Sequence, residues 1–432
     1  MLKNNLKYIV LVIILVIALS ITAGYINKSP IKPNTTYYFK DYKQYSNNGK
    51  NNNVVKGVKT TLLSKVVLAK NINGVGFDTT PIVSGDMEYI GTMNRTTLSG
   101  ALYAIKRTTG KVVWHDNFSN EDMANPVVVP QVGMVFIGTG NSKHYGKSNG
   151  ISYRGTGNNY IYAIDLGTGK VIWKYKTLGE NMPTPIYKSG VIYFVNGNRT
   201  FYALTAKSGK LLWSLNIGSI VSMSSPVMVG NNVYFGGASP YAVFDVNIRS
   251  KSIKWKDTLK GITGALDDTT PTYSSGFIYT NATKLVNYSK NQGNEYLYKI
   301  NATNGNIVWT IKEGYGVLNL PTDPMEGSVS TIVGDVLYTS SNATRNIFAI
   351  NINSQKILWK FKVNGMVNSP FIIIKNLIYS ITGNGNIYVL SVKNGEFIAK
   401  RTLGGPELAS GMSFYSGKFY VANGVGDIYT FQ

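Results

Sequence analysis

Apolar and polar residues alternate in short runs from about residue 60 to the C-terminus, and one line of sequence returns along this stretch. The line is an aromatic-apolar strand, a turn ending in glycine, two apolar residues and a tryptophan, as in LYAIKRTTGKVVW and IYAIDLGTGKVIW. Alternation with a period of two predicts β-strands. All six tryptophans of the chain occupy this one position: Trp114, Trp173, Trp213, Trp255, Trp309 and Trp359.

A second element accompanies the first: a Thr-Pro, Ser-Pro or Asn-Pro step, an apolar strand, a glycine turn and a tyrosine strand. Its eight copies run from Thr80-Pro81 to a worn copy at Ser410-Gly411. Each unit therefore offers four short strands, which is one propeller blade. A single sheet cannot bury both faces, but radially stacked sheets cover each other, and the tryptophan is well placed to dock between blades. The predicted fold class is all-β, an eight-bladed β-propeller of four-stranded antiparallel blades over residues 60–432.

The two ends of the repeat region complement each other. The last unit stops after its third strand, at residues 428–431, whereas an unassigned strand at residues 62–69 precedes the first blade. We expect these segments to pair, since this pairing closes the ring and removes an exposed sheet edge.

The first 59 residues do not follow the repeat. Residues 8–23 are apolar throughout and follow Lys3 and Lys7, so residues 1–25 are predicted to form a membrane anchor with one transmembrane helix. A cleaved signal peptide is the alternative, with Ala18-Leu19-Ser20 as the cleavage site. The Asn-, Lys- and Tyr-rich residues 26–59 are predicted to form a flexible stalk. Either interpretation exports the propeller, and the first gives a single-pass cell-membrane protein with an extracytoplasmic propeller.

Composition narrows the classes of function. The chain has 43 Lys and Arg against 21 Asp and Glu, a net charge of +22. The export segment and the scattered basic residues argue against a nucleic-acid partner. The absence of cysteine excludes disulfides, thiol chemistry and a lipoprotein anchor. Few carboxylates would suit an acidic extracytoplasmic face.

Nine Asn-x-Ser/Thr sequons suggest a glycoprotein, since such acceptor sites belong on exposed loops of exported chains. Together with the Asn, Lys, Ile and Tyr bias, they favour an archaeal surface protein. The sequons begin at Asn27, Asn34, Asn94, Asn117, Asn198, Asn281, Asn287, Asn301 and Asn342.

The line [Y]-A-[I/L]-x-x-x-[T/S]-G-K-x-x-W resembles the repeat of the PQQ-type (quinoprotein alcohol dehydrogenase-like) β-propellers across nearly all of residues 60–432. That family contains both quinoprotein dehydrogenases and non-catalytic scaffolds. Residues 135–175 look like the dehydrogenase segment with a GTGN step, a long insertion and an arginine-containing loop. The resemblance implies Asn141 as a calcium ligand beside the quinone and assigns quinone binding to Arg199, in the step Asn-Gly-Asn-Arg.

The chain also departs from the dehydrogenase pattern. Residues 177–183 contain no aspartate where the family has its catalytic one, which leaves Glu180 as the substitute base. The arginine of the Asn-Gly-Asn-Arg step is displaced, and the paired cysteines that cover the quinone are absent. These departures indicate a non-catalytic member of the family.

The loops that join a tryptophan strand to the next blade should all emerge on one face, around the central channel. They hold nine of the 21 carboxylates: Asp78, Glu121, Asp122, Glu180, Asp267, Asp268, Asp323, Glu326 and Glu407. Such an acidic mouth would suit Ca²⁺ or a cationic partner, with Asp267 and Asp268 as metal ligands. The alternative is that loops collect acidic residues in any protein.

The remaining candidate residues favour structural roles. His115 and His144 are the only histidines and are too few for a histidine-based zinc site. Asp165 and Asp245 are expected to cap repeat turns by accepting backbone N–H groups.

Three functions stay open at this point. The first is a membrane-anchored binding or scaffolding module that presents its loop face to protein partners and needs no cofactor. The second is a PQQ- and calcium-dependent alcohol or sugar dehydrogenase, with a small-molecule ligand in the central channel. The third is a surface adhesin or glycan binder that would use exposed tyrosines.

Overall fold

The computed structural model describes residues 54–55, 65–69, 72, 76–77, 79–94, 97, 99–120, 122, 124–141, 145–148, 150–155, 157–318, 327–405 and 411–431. The predicted anchor (residues 1–25) and all but two residues of the predicted stalk lie outside this set. Among the residues so described, no helix is long and apolar enough to cross a membrane.

The chain forms eight four-stranded antiparallel sheets in sequence order, which confirms the predicted eight-bladed propeller. Blade 1 has Ile82–Ser84, Met87–Asn94, Ser99–Lys106 and Lys111–Phe118, with the short strand Gly76–Phe77 beside the second. Blade 2 has Val127–Val129, Met134–Gly138, Tyr160–Asp165 and Val171–Lys176, plus the 3₁₀-helix Pro130–Val132. Blade 3 has Ile186–Lys188, Val191–Val195, Thr200–Thr205 and Leu211–Asn216. Blade 4 has Val227–Val229, Asn232–Gly237, Ala242–Asn247 and Ser252–Thr258.

The second half of the ring repeats this pattern. Blade 5 has Thr272–Ser274, Phe277–Asn287, Gln292–Asn301 and Ile307–Val317. Blade 6 has Thr331–Val333, Val336–Ser341, Asn346–Asn351 and Ile357–Lys362. Blade 7 has Ile372–Ile374, Leu377–Thr382, Asn386–Ser391 and Phe397–Thr402. Blade 8 has Ser413–Tyr415, Lys418–Ala422, Ile428–Phe431 and, as its fourth strand, Lys65–Ala69.

Blade 8 is therefore built from both ends of the propeller sequence. Lys65 pairs with Phe431 and Val67 with Tyr429 in antiparallel register. A hydrogen bond from the Gly411 amide to Thr80 Oγ1 (2.9 Å) also joins blade 8 to blade 1. These contacts leave the fourth strand of blade 8 paired and seal the ring.

Val54–Val55 lies within the segment predicted as a stalk but forms a strand. It pairs in parallel with Ile373 and Ile374, in the first strand of blade 7. The first strand of a blade has a free edge of unpaired backbone groups, which accounts for a pairing that the residue pattern did not indicate.

The hydrophobic core is divided into eight clusters, each shared by two neighbouring blades. At the junction of blades 3 and 4, for example, Phe201 stacks on Phe235 with ring centroids 6.1 Å apart. At the closing junction, Phe77 and Tyr103 of blade 1 pack with Ile428 of blade 8. Each sheet thus buries its apolar faces only through its neighbours.

The repeat tryptophans lie at these junctions and contact the following blade. The indole nitrogens of Trp173 and Trp359 donate to the carbonyls of Ala206 (2.8 Å) and Val392 (3.0 Å), in the third-to-fourth-strand turn of the next blade. Trp114, Trp255 and Trp309 make the same bond to Leu166, Ala302 and Ile352. For Trp213 the corresponding turn has Lys251 in place of glycine, and its indole stacks on Phe201 instead.

Three expectations about polar residues meet different outcomes. Asp165 caps its turn, since its Oδ1 accepts from the Gly167 and Thr168 amides. For Asp245 the prediction of a turn cap was wrong: it lies inside the third strand of blade 4, opposite Tyr234 and Trp255, fully buried with neither oxygen hydrogen-bonded. Two of the sequon asparagines, Asn281 and Asn342, are buried and hydrogen-bonded, so they cannot serve as glycan acceptors on the folded chain.

Where the receiving turn has a glycine, the tryptophan contact predicts that replacing this glycine is costly. The turn that receives Trp309 has Gln355 at the same position and keeps the hydrogen bond to Ile352. Gly169 has φ +74°, and a Cβ there would lie 2.6 Å from the Trp114 indole. Gly169→Ala should therefore lower the free energy of unfolding by about 2–4 kcal/mol, combining backbone strain with a clash. Chemical denaturation measures this loss.

Gly190→Ala is the matched control, because Gly190 has φ +81° with open space around its Cβ position. It should show only the strain, about 1 kcal/mol. Equal losses in the two variants would contradict the docking role of the tryptophan.

Candidate functional site

Two kinds of connection leave each blade at the same end: the turn between its second and third strands, and the loop to the next blade. Both therefore lie on one face of the propeller, at the mouth of the central channel. Blade 2 carries an insertion in its second-to-third-strand connection, a hairpin of strands Tyr145–Ser148 and Ile151–Arg154. The hairpin ends in an arginine on this face.

Arg154 lies among acidic side chains from two other loops. Its Nε is 3.0 Å from Glu180 Oε1, and its Nη1 is 3.8 Å from Asp268 Oδ1. The guanidinium also donates to the Ser222 hydroxyl. Asp267, next to Asp268 in the chain, is close enough to Glu180 for its charge to raise the pKa of Glu180. These five residues, the Arg154 centre, come from blade 2 and three successive interblade loops.

The backbone fixes the centre. The Arg154 amide donates to the Gly197 carbonyl (2.9 Å), the Glu180 amide to the Arg154 carbonyl (3.0 Å), and the Gly197 amide to the Glu180 carbonyl (2.9 Å). A Cβ on Gly197 would lie 2.4 Å from the Arg154 carbonyl oxygen, so only glycine permits this approach. These bonds join the hairpin to the loop after blade 2, which holds Glu180, and to the second-to-third-strand turn of blade 3, which holds Gly197.

The carboxyl groups of the centre resist ionisation. Burial raises the pKa of Glu180 to about 8, against the opposing effect of Arg154. Burial, with the neighbouring Asp268 charge, raises the pKa of Asp267 to about 8. The pKa of Asp268 is also raised by burial, although Arg154 and Ser222 oppose the rise. At neutral and acidic pH the centre therefore combines one guanidinium with the protonated carboxyl groups of Glu180 and Asp267.

The side chains of the centre differ in exposure. The Glu180 side chain is 0% exposed, whereas Arg154 and Asp268 keep 17% and 21% of their side-chain surface accessible. A small ligand would therefore meet the guanidinium and Asp268 first.

The structure thus brings together Glu180, Asp267 and Asp268 among the residues predicted from sequence. Asn141 is buried and directly follows Gly140. Gly140 lies so close to Glu180 that a Cβ on it would be 2.3 Å from the Glu180 Cβ. Arg154 and Ser222 were not singled out from sequence. The signal for Arg154 was the long insertion in blade 2, which the repeat pattern marks but does not orient.

Arg199 has a different environment from the one that the resemblance implied. Its guanidinium donates to three backbone carbonyls: Ser152 (2.9 Å) of the hairpin, Gly218 (2.9 Å) and Ser239 (2.6 Å) of the loops around blade 4. These bonds use the group to tie the hairpin to the ring. The assignment of Arg199 to quinone binding stays a prediction, and its guanidinium already donates to three carbonyls of the protein.

Several other candidates lie elsewhere or outside the described residues. His115, in the fourth strand of blade 1, stacks on Tyr103 of the third strand. Asp122 is buried in the loop after blade 1. In the part of the chain that the structure describes, no group of three or more His, Asp or Glu side chains is arranged to hold a metal ion. The candidate residues that lie outside the described part of the chain are Asp78, Glu121, His144, Asp323, Glu326 and Glu407.

Comparison with known proteins identifies the family. The model described as outer membrane protein assembly factor BamB matches residues 98–317 and 293–431. The chain belongs to this PQQ/BamB-like repeat family. Among solved structures, BamB from Moraxella catarrhalis superposes with a TM-score of 0.60 at 17% identity, over 86% of this chain and 100% of that one. Quinohemoprotein alcohol dehydrogenase from Comamonas testosteroni gives 0.55 at 13% identity, over 86% and 76%. At such identities the structural likeness shows the fold alone.

Two curated relatives are tetrathionate hydrolases. The protein of Acidithiobacillus ferrooxidans is 26% identical over 336 residues, and that of Acidianus ambivalens is 26% identical over 365 residues. Both matches cover 74% of this chain and 66% of the relative. This PQQ/BamB-like chain therefore matches somewhat less than two thirds of each hydrolase.

The Arg199 contacts predict that this residue holds the Arg154 hairpin in place. Arg199→Ala removes three hydrogen bonds to carbonyls, so amide exchange in residues 145–155 should accelerate at least about tenfold, a loss of more than about 1.4 kcal/mol of local stability. Hydrogen exchange with mass spectrometry measures it. Arg249→Ala, at an exposed turn of blade 4, is the control and should leave the hairpin unchanged. Unaltered exchange in Arg199→Ala would show that the hairpin is held by other contacts.

Proposed function

We propose that the Arg154 centre binds a small sulfur oxyanion and hydrolyses its S–S bond, with a polythionate such as tetrathionate as substrate. The observation that carries the proposal is one partly exposed guanidinium surrounded by carboxyl groups that hold their protons to about pH 8. The tetrathionate hydrolase relatives support this choice of substrate.

The chemistry of the centre suits an anionic disulfide. A polythionate carries a sulfonate at each end, and the Arg154 guanidinium is a geometric partner for such an oxyanion. Attack of water on a sulfonate sulfur forms an S–O bond, breaks the adjoining S–S bond and releases sulfate. The two protons of the water pass to the solvent, and the leaving sulfur takes up one proton. Asp268, whose pKa is raised by burial and whose side chain keeps 21% of its surface accessible, is placed to donate it as a general acid. Glu180 is fully buried and acts as a positioning residue that orients Arg154.

The residues do not fit a pyrroloquinoline quinone. This cofactor is a flat polycarboxylate, and the centre offers it a single guanidinium faced by three carboxyl groups. Arg199, the other candidate cation, is committed to three backbone carbonyls. Glu180, the candidate base, is enclosed and paired with Arg154. The chain also has no cysteine to cover the ring.

Partner binding is the second candidate, favoured by the match to the BamB family model. An array of apolar side chains on the fourth strands is exposed and available for contacts, including Ile172, Leu212, Val308, Leu358 and Phe397. The adhesin hypothesis has less support, because the repeat tyrosines are buried, among them Tyr89, Tyr279, Tyr338, Tyr379 and Tyr420. In either function we propose that residues 8–23 tether the propeller on the extracytoplasmic side.

The test is hydrolysis of tetrathionate by the purified chain, followed as loss of substrate and appearance of a product with a free S–H group that reacts with thiol reagents. The protein itself contributes no thiol background. Arg154→Gln should lower kcat/KM by about 10²–10³-fold and Asp268→Asn by at least about 10²-fold. Arg249→Gln, an exposed arginine of blade 4, is the control and should keep full activity.

The pH profile gives an independent check. Because the raised pKa values of Glu180 and Asp267 are about 8, the carboxyl groups are neutral below that pH and turn negative above it. Binding of a dianion should therefore be strongest in acid and fall as the pH rises through about 8. No turnover at pH 4 in the wild type would reject the hydrolase. If Asp268→Asn then lost a membrane partner that the wild type retains, the scaffold would take its place.

A further inference from the structure

A second enclosed polar cluster lies between blades 5 and 6, in residues that the Arg154 centre does not use. The second, third and fourth strands of blade 5 are 11, 10 and 11 residues long, against 5, 6 and 6 in blade 3. The extra length carries polar residues beyond the hydrophobic junction. On the side facing blade 6, the row above Leu297 contains Thr283, Glu295 and Glu313.

A β-bulge sets the direction of Glu313. Tyr296 pairs with Lys312 and Glu295 pairs with Gly314, which leaves Glu313 as the extra residue. A bulge of this kind re-aims a side chain. Gly314 adopts φ +143°, and a Cβ there would lie 2.2 Å from Thr344 Cγ2 of blade 6. The backbone is thus shaped to hold both carboxyl groups against the next blade.

The two carboxyl groups are buried and partly bonded. Glu295, 1% exposed, accepts hydrogen bonds at Oε2 from Ser341 Oγ and the Ala343 amide, both at 3.0 Å. Glu313, 5% exposed, accepts at Oε2 from Asn281 Nδ2 at 2.6 Å. One positive side chain, Arg345, acts on Glu295. Two carboxyl groups thus share an enclosed space with one guanidinium.

Three buried oxygens of this cluster have no hydrogen-bond partner: Glu313 Oε1, Asn281 Oδ1 and Thr283 Oγ1. Asn281 Oδ1 can only accept, and Glu313 Oε1 accepts whenever its carboxyl group is ionised. Asn281 and Thr283 lie on the same side of one strand, and Thr283 is directly opposite Glu295. Unsatisfied buried oxygens beside two carboxyl groups indicate a missing ligand, and a cation is the ligand that oxygen atoms bind.

We propose that Asn281, Thr283, Glu295 and Glu313 bind a calcium ion that joins blade 5 to blade 6. All four side chains offer oxygen, and carboxylate, amide and hydroxyl oxygens are the ligands of a hard cation. The absence of nitrogen and sulfur ligands disfavours zinc. The same arrangement explains the buried Asn-Ala-Thr sequon, whose first and third residues supply two of the oxygens.

The experiment is thermal unfolding of the full-length chain at pH 7 after chelation, with and without calcium. Calcium at about 100 times its Kd should raise Tm by about 3–5 °C. Terbium, used as a calcium substitute, should show emission sensitised by Trp309 and Tyr279, which lie on the same side of the sheet. Glu313→Gln keeps the size of the side chain, and it should abolish both responses.

Glu396→Gln, at a surface turn of blade 7, is the matched control and should respond to calcium like the wild type. A wild type without a calcium-dependent rise in Tm and without sensitised terbium emission would overturn the proposal. So would undiminished responses in Glu313→Gln. If Glu313→Gln raised Tm in the absence of metal while the wild type ignored calcium, the two carboxyl groups would share a proton instead.

Discussion

The contact between a tryptophan and the turn of the following blade is the constraint on which the rest of the structure depends. Each sheet buries its apolar faces only against its neighbours, so the angle between blades decides whether eight sheets close into a ring. At five junctions the indole donates to a carbonyl of the next blade, and at four of these it also rests on a glycine of the receiving turn, which fixes how those blades pack. Once the ring is closed, loops far apart in sequence must meet at the channel mouth, and the Arg154 centre exists because of that meeting.

Buried carboxyl groups are the second theme of the molecule. Burial raises the pKa of Glu88 and of Glu180 to about 8, from a usual 4.5. Between these values the folded chain holds protons that the unfolded chain has released, so stability falls as the pH rises from about 4.5 to 8 and is greatest below that interval. Glu88, with neither oxygen hydrogen-bonded, is tolerated in a hydrophobic junction only as the neutral acid. The fold and the Arg154 centre are therefore favoured by the same acidic conditions.

The repeat made the fold predictable, since position within a blade follows from the spacing of Tyr, Gly and Trp. The candidate site was predictable only in part. Glu180, Asp267 and Asp268 were found as loop carboxylates, but Arg154 depends on the path of an insertion that has no counterpart in the other blades. The position of Asp245 was predicted wrongly because the repeat of blade 4 departs from the consensus. Asp245 pairs with the tryptophan of the fourth strand, as Ala163 and Ala203 do in blades 2 and 3. Glu313 escaped notice because a bulge, invisible to a period of two, decides where it points.

The central claim is that the Arg154 centre holds neutral carboxylic acids beside a guanidinium. Infrared difference spectroscopy of the purified chain observes this state directly, through the C=O stretch of protonated carboxyl groups. The account predicts that the band persists at pH 7, titrates away near pH 8, and loses part of its intensity in Glu180→Gln. A wild type whose carboxyl groups have all ionised by pH 6 would contradict it.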